Sequence, residues 1–194
     1  EKLDSPWTAE RLKEFIKGNL KDQKIFLVFI LEPYEHRIHN GEVTYRALAN
    51  GVSTAFEPLM EACGGTWIAQ GNGEADEGAG DRVNVPPDNP KYTLRKVWLN
   101  DSEDKGYNKG YSVEGLYPLC LNTHTRPVFR EDDWTAYKNI NEKFAEVLLS
   151  EIENIERPLI IVNEYYFTLL PRMIKASRPD ARVGIFWHTP WPSA

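Results

Sequence analysis

Polar side chains that could take part in chemistry follow three separate apolar runs of the sequence. Glu32 directly follows the first run, Glu164 comes just after a later one, and His188 lies at the end of the last. In open α/β sheets, ligands bind beside the carboxyl ends of the strands, and right-handed crossovers bring those ends to one edge. The spacing therefore predicts a ligand-binding site in which carboxylate and imidazole groups from different strands converge.

Each of these residues also has a purely structural interpretation. A histidine close to two tryptophans, as His188 is to Trp187 and Trp191, is also typical of a packed side chain. A carboxylate at a strand end, such as Glu164, often only caps the turn that follows. From the residues alone both interpretations stay open.

The apolar runs themselves predict the fold. Residues 25–30, 159–162 and 183–187 are almost continuously apolar, which is typical of strands buried on both faces of a parallel sheet. We expect these three strands to be central and a long helix over 133–152 to pack on the sheet. The predicted fold class is α/β, a Rossmann-like, doubly wound parallel sheet in a single domain over 1–194.

Other segments are expected to flank this sheet. Ser5 is typical of a helix cap and predicts an amino-terminal docking helix within 1–22. The segment 32–37 is predicted to be a polar loop, and the Asn-Gly pair at 40–41 to form a turn. The acidic, turn-rich segment 71–90 is predicted to be a surface excursion.

Two further stretches are candidate binding elements. Gly51 stands at the start of a predicted helix, where a glycine lets backbone N–H groups approach a phosphate or a sugar, although most such glycines are only hinges. The stretch 107–120 is rich in Tyr and Gly. That composition suits a sugar or another ring, but interior packing explains it equally well.

The composition argues against several classes of function. The 194 residues carry a formal net charge of −6, which argues against a nucleic-acid-binding surface. No apolar run approaches the length of a membrane span. Cys63 and Cys120 are far apart, as expected for free thiols in a reducing compartment such as the cytoplasm. The spacing of Asp76 and Asp81 does not fit a calcium loop, and we expect no metal.

The last apolar run ends in Phe-Trp-His-Thr-Pro-Trp-Pro at 186–192, and it belongs to a collinear series of short motifs over residues 24–193. This run is similar to the strand-end signature of the trehalose-6-phosphate synthase family, retaining glycosyltransferases with two Rossmann-like domains, and the series as a whole resembles that family. Further matches, in chain order, are Glu32-Pro33-Tyr34, Ala49-Asn50-Gly51, Gly64-Gly65-Thr66-Trp67, Tyr92-Thr93-Leu94-Arg95, Leu116-Tyr117-Pro118-Leu119, Arg126-Pro127-Val128-Phe129 and Leu169-Leu170-Pro171-Arg172. The resemblance implies the acceptor-side, N-terminal half of a GT-B type enzyme. The C-terminal nucleotide-sugar domain would then be supplied in cis or in trans.

The resemblance also implies a role for each matching residue. His188 would contact the donor sugar, and Asn50 and Gly51 would line the donor phosphate. Glu164 and His188 would be the catalytic residues. Four residues would line the acceptor pocket: Asn108, Tyr117, Glu164 and Tyr165. The donor would be a nucleotide sugar of the UDP-glucose type, with no metal or other cofactor, and the acceptor a small sugar, sugar phosphate or polyol.

The sequence departs from the family on the acceptor side. Leu31 stands where the family has an arginine that helps to hold the acceptor phosphate, and Asn108 stands where it has a tyrosine. The family's His-Asp-Tyr-His reads Asn-Glu-Tyr-Tyr at 163–166, and Tyr117 replaces a tryptophan. These departures predict an acceptor other than glucose-6-phosphate. They also leave open a second interpretation, a non-catalytic regulatory or partner-binding module on the same fold. Under either interpretation, association into an oligomer stays open.

Overall fold

A computed structural model describes residues 8–20, 23–48, 51–72, 80–121 and 124–192. The strands are β1 (Ile25–Val28), β2 (Tyr34–His39), β3 (Glu42–Ala47), β4 (Gly65–Gln70), β5 (Arg82–Val85), β6 (Tyr92–Val97), β7 (Leu159–Asn163) and β8 (Arg182–Phe186). The helices are α1 (Ala9–Leu20), α2 (Gly51–Cys63), α3 (101–121), α4 (Glu131–Glu151) and α5 (Leu170–Ser177), with a 3-10 turn at Tyr165–Phe167. Helix α3 consists of α-helical Asp101–Asp104, π-helical Lys105–Leu116 and α-helical Tyr117–Leu121.

Six strands form one sheet in the order β5-β6-β4-β1-β7-β8. Strands β6, β4, β1, β7 and β8 run parallel, and β5 lies antiparallel to β6. The predicted α/β, Rossmann-like class is therefore confirmed, although the antiparallel edge strand makes the sheet mixed rather than purely parallel. The strand order reverses between β1 and β7, since the chain builds outward from β1 on both sides.

The centre of the sheet is buried on both faces. All four residues of β1 are buried, and Phe26 pairs in register with Thr66 of β4 and Ile160 of β7. Helix α4 contacts β4 and β6 and buries Phe144 and Leu148 in the core. The long predicted helix and the two predicted central strands at β1 and β7 are confirmed, because burial on both faces selects continuous apolar runs.

Strand β8 lies at the edge of the sheet, which corrects the prediction that residues 183–187 form a buried central strand. Ile185 and Phe186 are 49% and 52% exposed. In the described part of the chain β8 pairs with β7 alone, so its outer side is open. An apolar run indicates a strand but does not fix the place of that strand in the sheet.

The segment 32–37 runs into a strand, which corrects the predicted polar loop. Strand β2 forms an antiparallel hairpin with β3. The predicted turn at 40–41 is confirmed, with φ of 52° at Asn40 and 82° at Gly41. Two successive positive φ angles are typical of the type I′ turn, whose twist matches the flanking strands. Because the two strands satisfy each other's backbone groups, the hairpin tolerates polar side chains.

The flanking segments also differ in part from the prediction. Strand β5 lies within 71–90, which the composition predicts to be a surface excursion, while Asp76 lies outside the described residues. Helix α1 packs on α2 and buries Ile16, although its predicted cap, Ser5, also lies outside the described residues. None of the helices in the described ranges combines the length and apolar character that a membrane crossing requires.

Helix α3 contains the Tyr- and Gly-rich stretch 107–120. Gly110 faces α4 so closely that an added Cβ would overlap the carboxyl group of Asp133. Tyr107 is fully buried, with its ring centroid 5.7 Å from that of Tyr137. Interior packing therefore explains Tyr107, whereas Tyr117 near the end of the helix stays 40% exposed.

Candidate functional site

Histidine 188 lies beside the point at which the strand order reverses, where open α/β sheets bind their ligands. Its Nε2 is 2.8 Å from Oδ1 of Asn163, the last residue of β7. Because an amide oxygen only accepts, Nε2 of His188 donates in this contact. The ring also lies 4.5 Å from that of Phe186, centroid to centroid. His188 is exposed, so the packed structural interpretation does not describe it.

The Glu164 carboxylate faces the turn that follows β8. Its Oε1 accepts hydrogen bonds from the backbone N–H groups of His188 at 2.6 Å and Thr189 at 3.1 Å. Its Oε2 accepts from the N–H of Tyr165 at 3.3 Å and from the Thr189 hydroxyl at 3.4 Å. The residue is only 7% exposed. The structure thus brings Glu164 and His188 together as predicted, but through the backbone of His188 rather than through its ring.

The backbone of Glu164 adopts a conformation that is essentially confined to glycine. Its φ is 67° and its ψ is 176°. Such a conformation costs about 1–3 kcal/mol in a residue with a Cβ and persists only where the surroundings impose it. Here the Glu164 N–H donates to the Phe186 carbonyl at 2.9 Å, which extends the β7–β8 pairing past the end of β7.

Three tyrosines form a stack next to Glu164. The Tyr165 ring lies 4.5 Å from that of Tyr166 and 6.0 Å from that of Tyr117, centroid to centroid. Burial, followed by its hydrogen bond to Tyr166, raises the pKa of Tyr165 well above its usual range. Burial first, and then the nearby charges of Glu164 and Asp104 among other groups, also raises the pKa of Tyr166. Tyr165 and Tyr166 therefore present neutral phenols near these carboxylates.

Asn108 belongs to a cluster of two amides and a carboxylate. Its Nδ2 donates to Oδ1 of Asp104 at 3.2 Å, and Nε2 of Gln70 donates to the same oxygen at 3.1 Å. The Gln70 N–H in turn donates to the Ile30 carbonyl at 3.1 Å, which brings the cluster next to Leu31. Sequence reasoning missed Gln70 and Asp104. Their signals were a polar residue at the end of β4 and a carboxylate one helical turn before Asn108.

The first turns of α2 lie beside His188. Gly51 is the first residue of this helix, as predicted, and it is exposed. Phe56, five residues later, has its ring centroid 6.4 Å from that of His188 and 6.1 Å from that of Phe186. The predicted donor residue Asn50 lies outside the described residues.

The polar groups that follow β1 face inward rather than toward His188. Lys96 Nζ donates to Nδ1 of His36 at 2.9 Å and lies 3.9 Å from Oε2 of Glu32. The Glu32 Oε1 also accepts from the N–H of Asn72 at 3.2 Å. Glu32, His36 and Lys96 are all buried. This buried ion cluster attaches the hairpin to β6 and to the segment after β4. Lys96 was not predicted as a buried residue, because nothing in its local sequence marks it as one.

No group of three or more His, Cys, Asp or Glu side chains within the described ranges is arranged to hold a metal ion. Cys63 and Cys120 are both free thiols, as predicted. Burial raises the pKa of Cys63 to about 11, so its thiol is protonated at neutral pH. The side-chain oxygens and nitrogens of the candidate site come from the carboxyl ends of the strands and from α3.

A Rossmann-like domain with polar groups at its strand-order reversal is a frequent architecture for nucleotide and sugar chemistry, and the comparisons with known proteins give the class. Residues 25–194 match the family model for glycosyltransferase family 20, and the chain belongs to that family. Curated relatives are trehalose-6-phosphate synthases: those of Mycobacterium ulcerans and Mycobacterium tuberculosis are both 28% identical, over 81% and 80% of this chain. The chain spans about a third of their length, 31% in both cases.

Solved structures show the same fold. A structure from Escherichia coli, bound with UDP-2-fluoro glucose, has a TM-score of 0.67 and 18% identity, over 88% of this chain and 34% of that one. An α,α-trehalose-phosphate synthase (UDP-forming) from Burkholderia xenovorans, in complex with glucose-6-phosphate, has a TM-score of 0.66 and 19% identity over the same shares. These matches confirm the predicted fold class, that of the N-terminal part of a GT-B glycosyltransferase.

Proposed function

We propose that this chain is the acceptor-side domain of a retaining glycosyltransferase similar to trehalose-6-phosphate synthase. The complete protein transfers glucose from a UDP-glucose-type donor to a sugar, sugar-phosphate or polyol acceptor. Family membership supports the chemistry, and the UDP-2-fluoro glucose and glucose-6-phosphate bound to two neighbours support the substrate classes. The nucleotide-sugar domain, in cis or in trans, completes the site.

In this proposal the donor lies over α2 and His188. Gly51, the first residue of α2, approaches the donor phosphate with its backbone N–H, where the helix dipole favours negative charge. Asn50, which the resemblance also assigns to the donor phosphate, lies outside the described residues. His188 contacts the donor sugar, with its ring oriented by Asn163. The leaving phosphate oxygens assist the incoming hydroxyl on the same face of the sugar, and cations of the second domain stabilise the developing charge. No metal or other cofactor takes part in this proposal.

The acceptor occupies the space lined by Tyr117, Tyr165 and Asn108, and one observation carries its chemistry. Asn108 donates to the carboxylate of Asp104, whose other donor, Gln70, bonds through its backbone N–H to Ile30, the residue before Leu31. A phosphate about 5 Å from this carboxylate would meet a repulsion of about 3 kcal/mol at an effective dielectric constant near 20. The leucine also removes a charge-assisted hydrogen bond worth about 1.5–3 kcal/mol. Neutral hydroxyl groups, by contrast, can donate to the carboxylate, so the site favours an acceptor that does not depend on phosphate.

The test uses the complete protein that carries this chain. Its kcat/KM is measured with glucose-6-phosphate, a polyol phosphate and an unphosphorylated sugar. The wild type should disfavour glucose-6-phosphate, and Leu31→Arg should improve its use by about ten- to a hundredfold. Ile38→Arg, on the exposed part of the hairpin, adds the same charge elsewhere and is the matched control. A clear wild-type preference for glucose-6-phosphate would contradict the acceptor proposal.

The second candidate function is a non-catalytic regulatory or partner-binding module. It is favoured by the engagement of the Glu164 carboxylate with backbone groups, which leaves this residue unlike an acceptor-binding carboxylate. Release of UDP from UDP-glucose by the complete protein, dependent on an added acceptor and lost in His188→Ala, would exclude the module.

A further inference from the structure

We propose that Glu164 is a positioning residue that builds the turn carrying His188, and that it does not bind the acceptor. The role assigned to His188 rests on the proposed function. The positioning itself rests on contacts within the chain: residues 163 and 164 fix His188 at two points, its ring and its backbone N–H.

The hydrogen bonds of the carboxylate compete with a substrate hydroxyl. An ionised carboxylate offers about four lone-pair sites. In this chain the N–H groups of His188 and Thr189 bond to Oε1 at 2.6 Å and 3.1 Å. Two longer contacts reach Oε2, from the Tyr165 N–H at 3.3 Å and the Thr189 hydroxyl at 3.4 Å. An acceptor hydroxyl would have to displace one of these donors, and a displaced N–H would be left without its partner in a nearly buried setting.

The strained backbone at Glu164 points to the same role. With φ at 67° and ψ at 176°, the chain turns sharply at the end of β7. The Glu164 N–H meanwhile stays bonded to the Phe186 carbonyl. The main chain of Glu164 thus holds the end of β8, and its side chain holds the next residues, Thr189 included. A strained residue that is fixed at both its backbone and its side chain is typical of a functional turn.

The length of the side chain fits this role. Aspartate is shorter by one methylene, so at position 164 its oxygens would lie farther from the N–H groups of His188 and Thr189. Aspartate at 164 should therefore not restore the function of an alanine variant, whereas glutamine, which keeps the reach and one good acceptor oxygen, should restore part of it.

The first experiment measures hydrogen exchange of the amides at 186–189 in the complete protein. Glu164→Ala should speed exchange of the His188 and Thr189 amides by about ten- to a hundredfold, and Glu164→Gln by less. Glu153→Ala, an exposed glutamate after α4, is the matched control and should leave this exchange unchanged. Unchanged exchange in both Glu164 variants would overturn the proposal. Because this measurement does not require turnover, it is decisive even if the proposed function fails.

The second experiment separates the donor from the acceptor. In Glu164→Ala, kcat should fall and the donor KM should rise at least tenfold, with the acceptor KM within about twofold of wild type. Glu164→Gln should recover part of the loss and Glu164→Asp should not. A rise confined to the acceptor KM would overturn the proposal and assign Glu164 to acceptor binding. Absence of any glucosyl transfer by the wild-type protein would refute the proposed function, and the exchange experiment alone would then decide the positioning role.

Discussion

Glycine at position 164 should cost less stability than alanine, in contrast to most positions in folded proteins. Both substitutions remove the carboxylate and its hydrogen bonds, which contribute about 1.5–3 kcal/mol. Alanine then keeps a Cβ in the glycine-like conformation that Glu164 adopts, at a cost of about 1–3 kcal/mol. Glycine adopts that conformation freely but loses about 0.5–1 kcal/mol through the greater entropy of its unfolded chain. The glycine variant should therefore be more stable than the alanine variant by about 0.5–2 kcal/mol.

Urea unfolding followed by fluorescence gives the two free energies, provided that both variants show the same m-value. The control is the same pair of substitutions at Thr168, whose φ of −64° and ψ of −23° are ordinary helical values. There alanine should be the more stable variant, by about 1 kcal/mol. An alanine variant at 164 as stable as the glycine variant would refute the inference that the backbone of Glu164 is strained.

Three other substitutions test the supports of the site. Tyr137→Phe removes the hydroxyl that donates to the Tyr165 carbonyl at 2.6 Å and accepts from the Thr168 N–H at 2.9 Å, and calorimetry should show a loss of about 1–3 kcal/mol, since both backbone groups lose this partner. An unchanged Tm would contradict this account. Gly65→Ala adds a Cβ that overlaps the backbone of β1 at a φ of 113°, and should destabilise by about 2–4 kcal/mol in urea unfolding. Hydrogen bonds from the Arg178 side chain, above all, lower the pKa of Asp180, so its contribution to stability is present above about pH 4 and is lost as pH falls below that. Asp180→Asn should remove this part of the pH dependence between pH 4 and pH 2, and an unaltered acid profile would refute it.

The strands could be predicted from sequence where burial alone determines composition. The core strand β1 and its neighbour β7 read as continuous apolar runs because water is excluded from both of their faces. The same signal failed for β8, since Ile185 and Phe186 are apolar on an open edge. The β2–β3 hairpin was missed because its sequence is polar. Its two strands are held by backbone pairing, which requires no apolar face, so apolar periodicity does not reveal them.

The candidate site was predictable in location but not in contacts. The position of a polar residue after an apolar run places Glu164 and His188 at one edge of the sheet, and the structure brings them together. The hydrogen bonds of each Glu164 oxygen depend on the path of the chain in the turns after β7 and β8. The spacing of residues in the sequence carries no information about that path. Asp104 was missed because its place in the site depends on the hydrogen bond that it accepts from Gln70, a residue 34 positions away in sequence.

Chemical modification of Lys96, which is buried against the β2–β3 hairpin, can report how often that hairpin opens. The Lys96 amine is fully buried between Glu32 and His36. An acetylating reagent can reach exposed amines, such as that of Lys109, while the protein stays folded. It can reach Lys96 only after the hairpin has lifted away from the sheet. The rate of acetylation at this one amine, relative to an exposed one, therefore measures how often the segment that carries Leu31 separates from its neighbours.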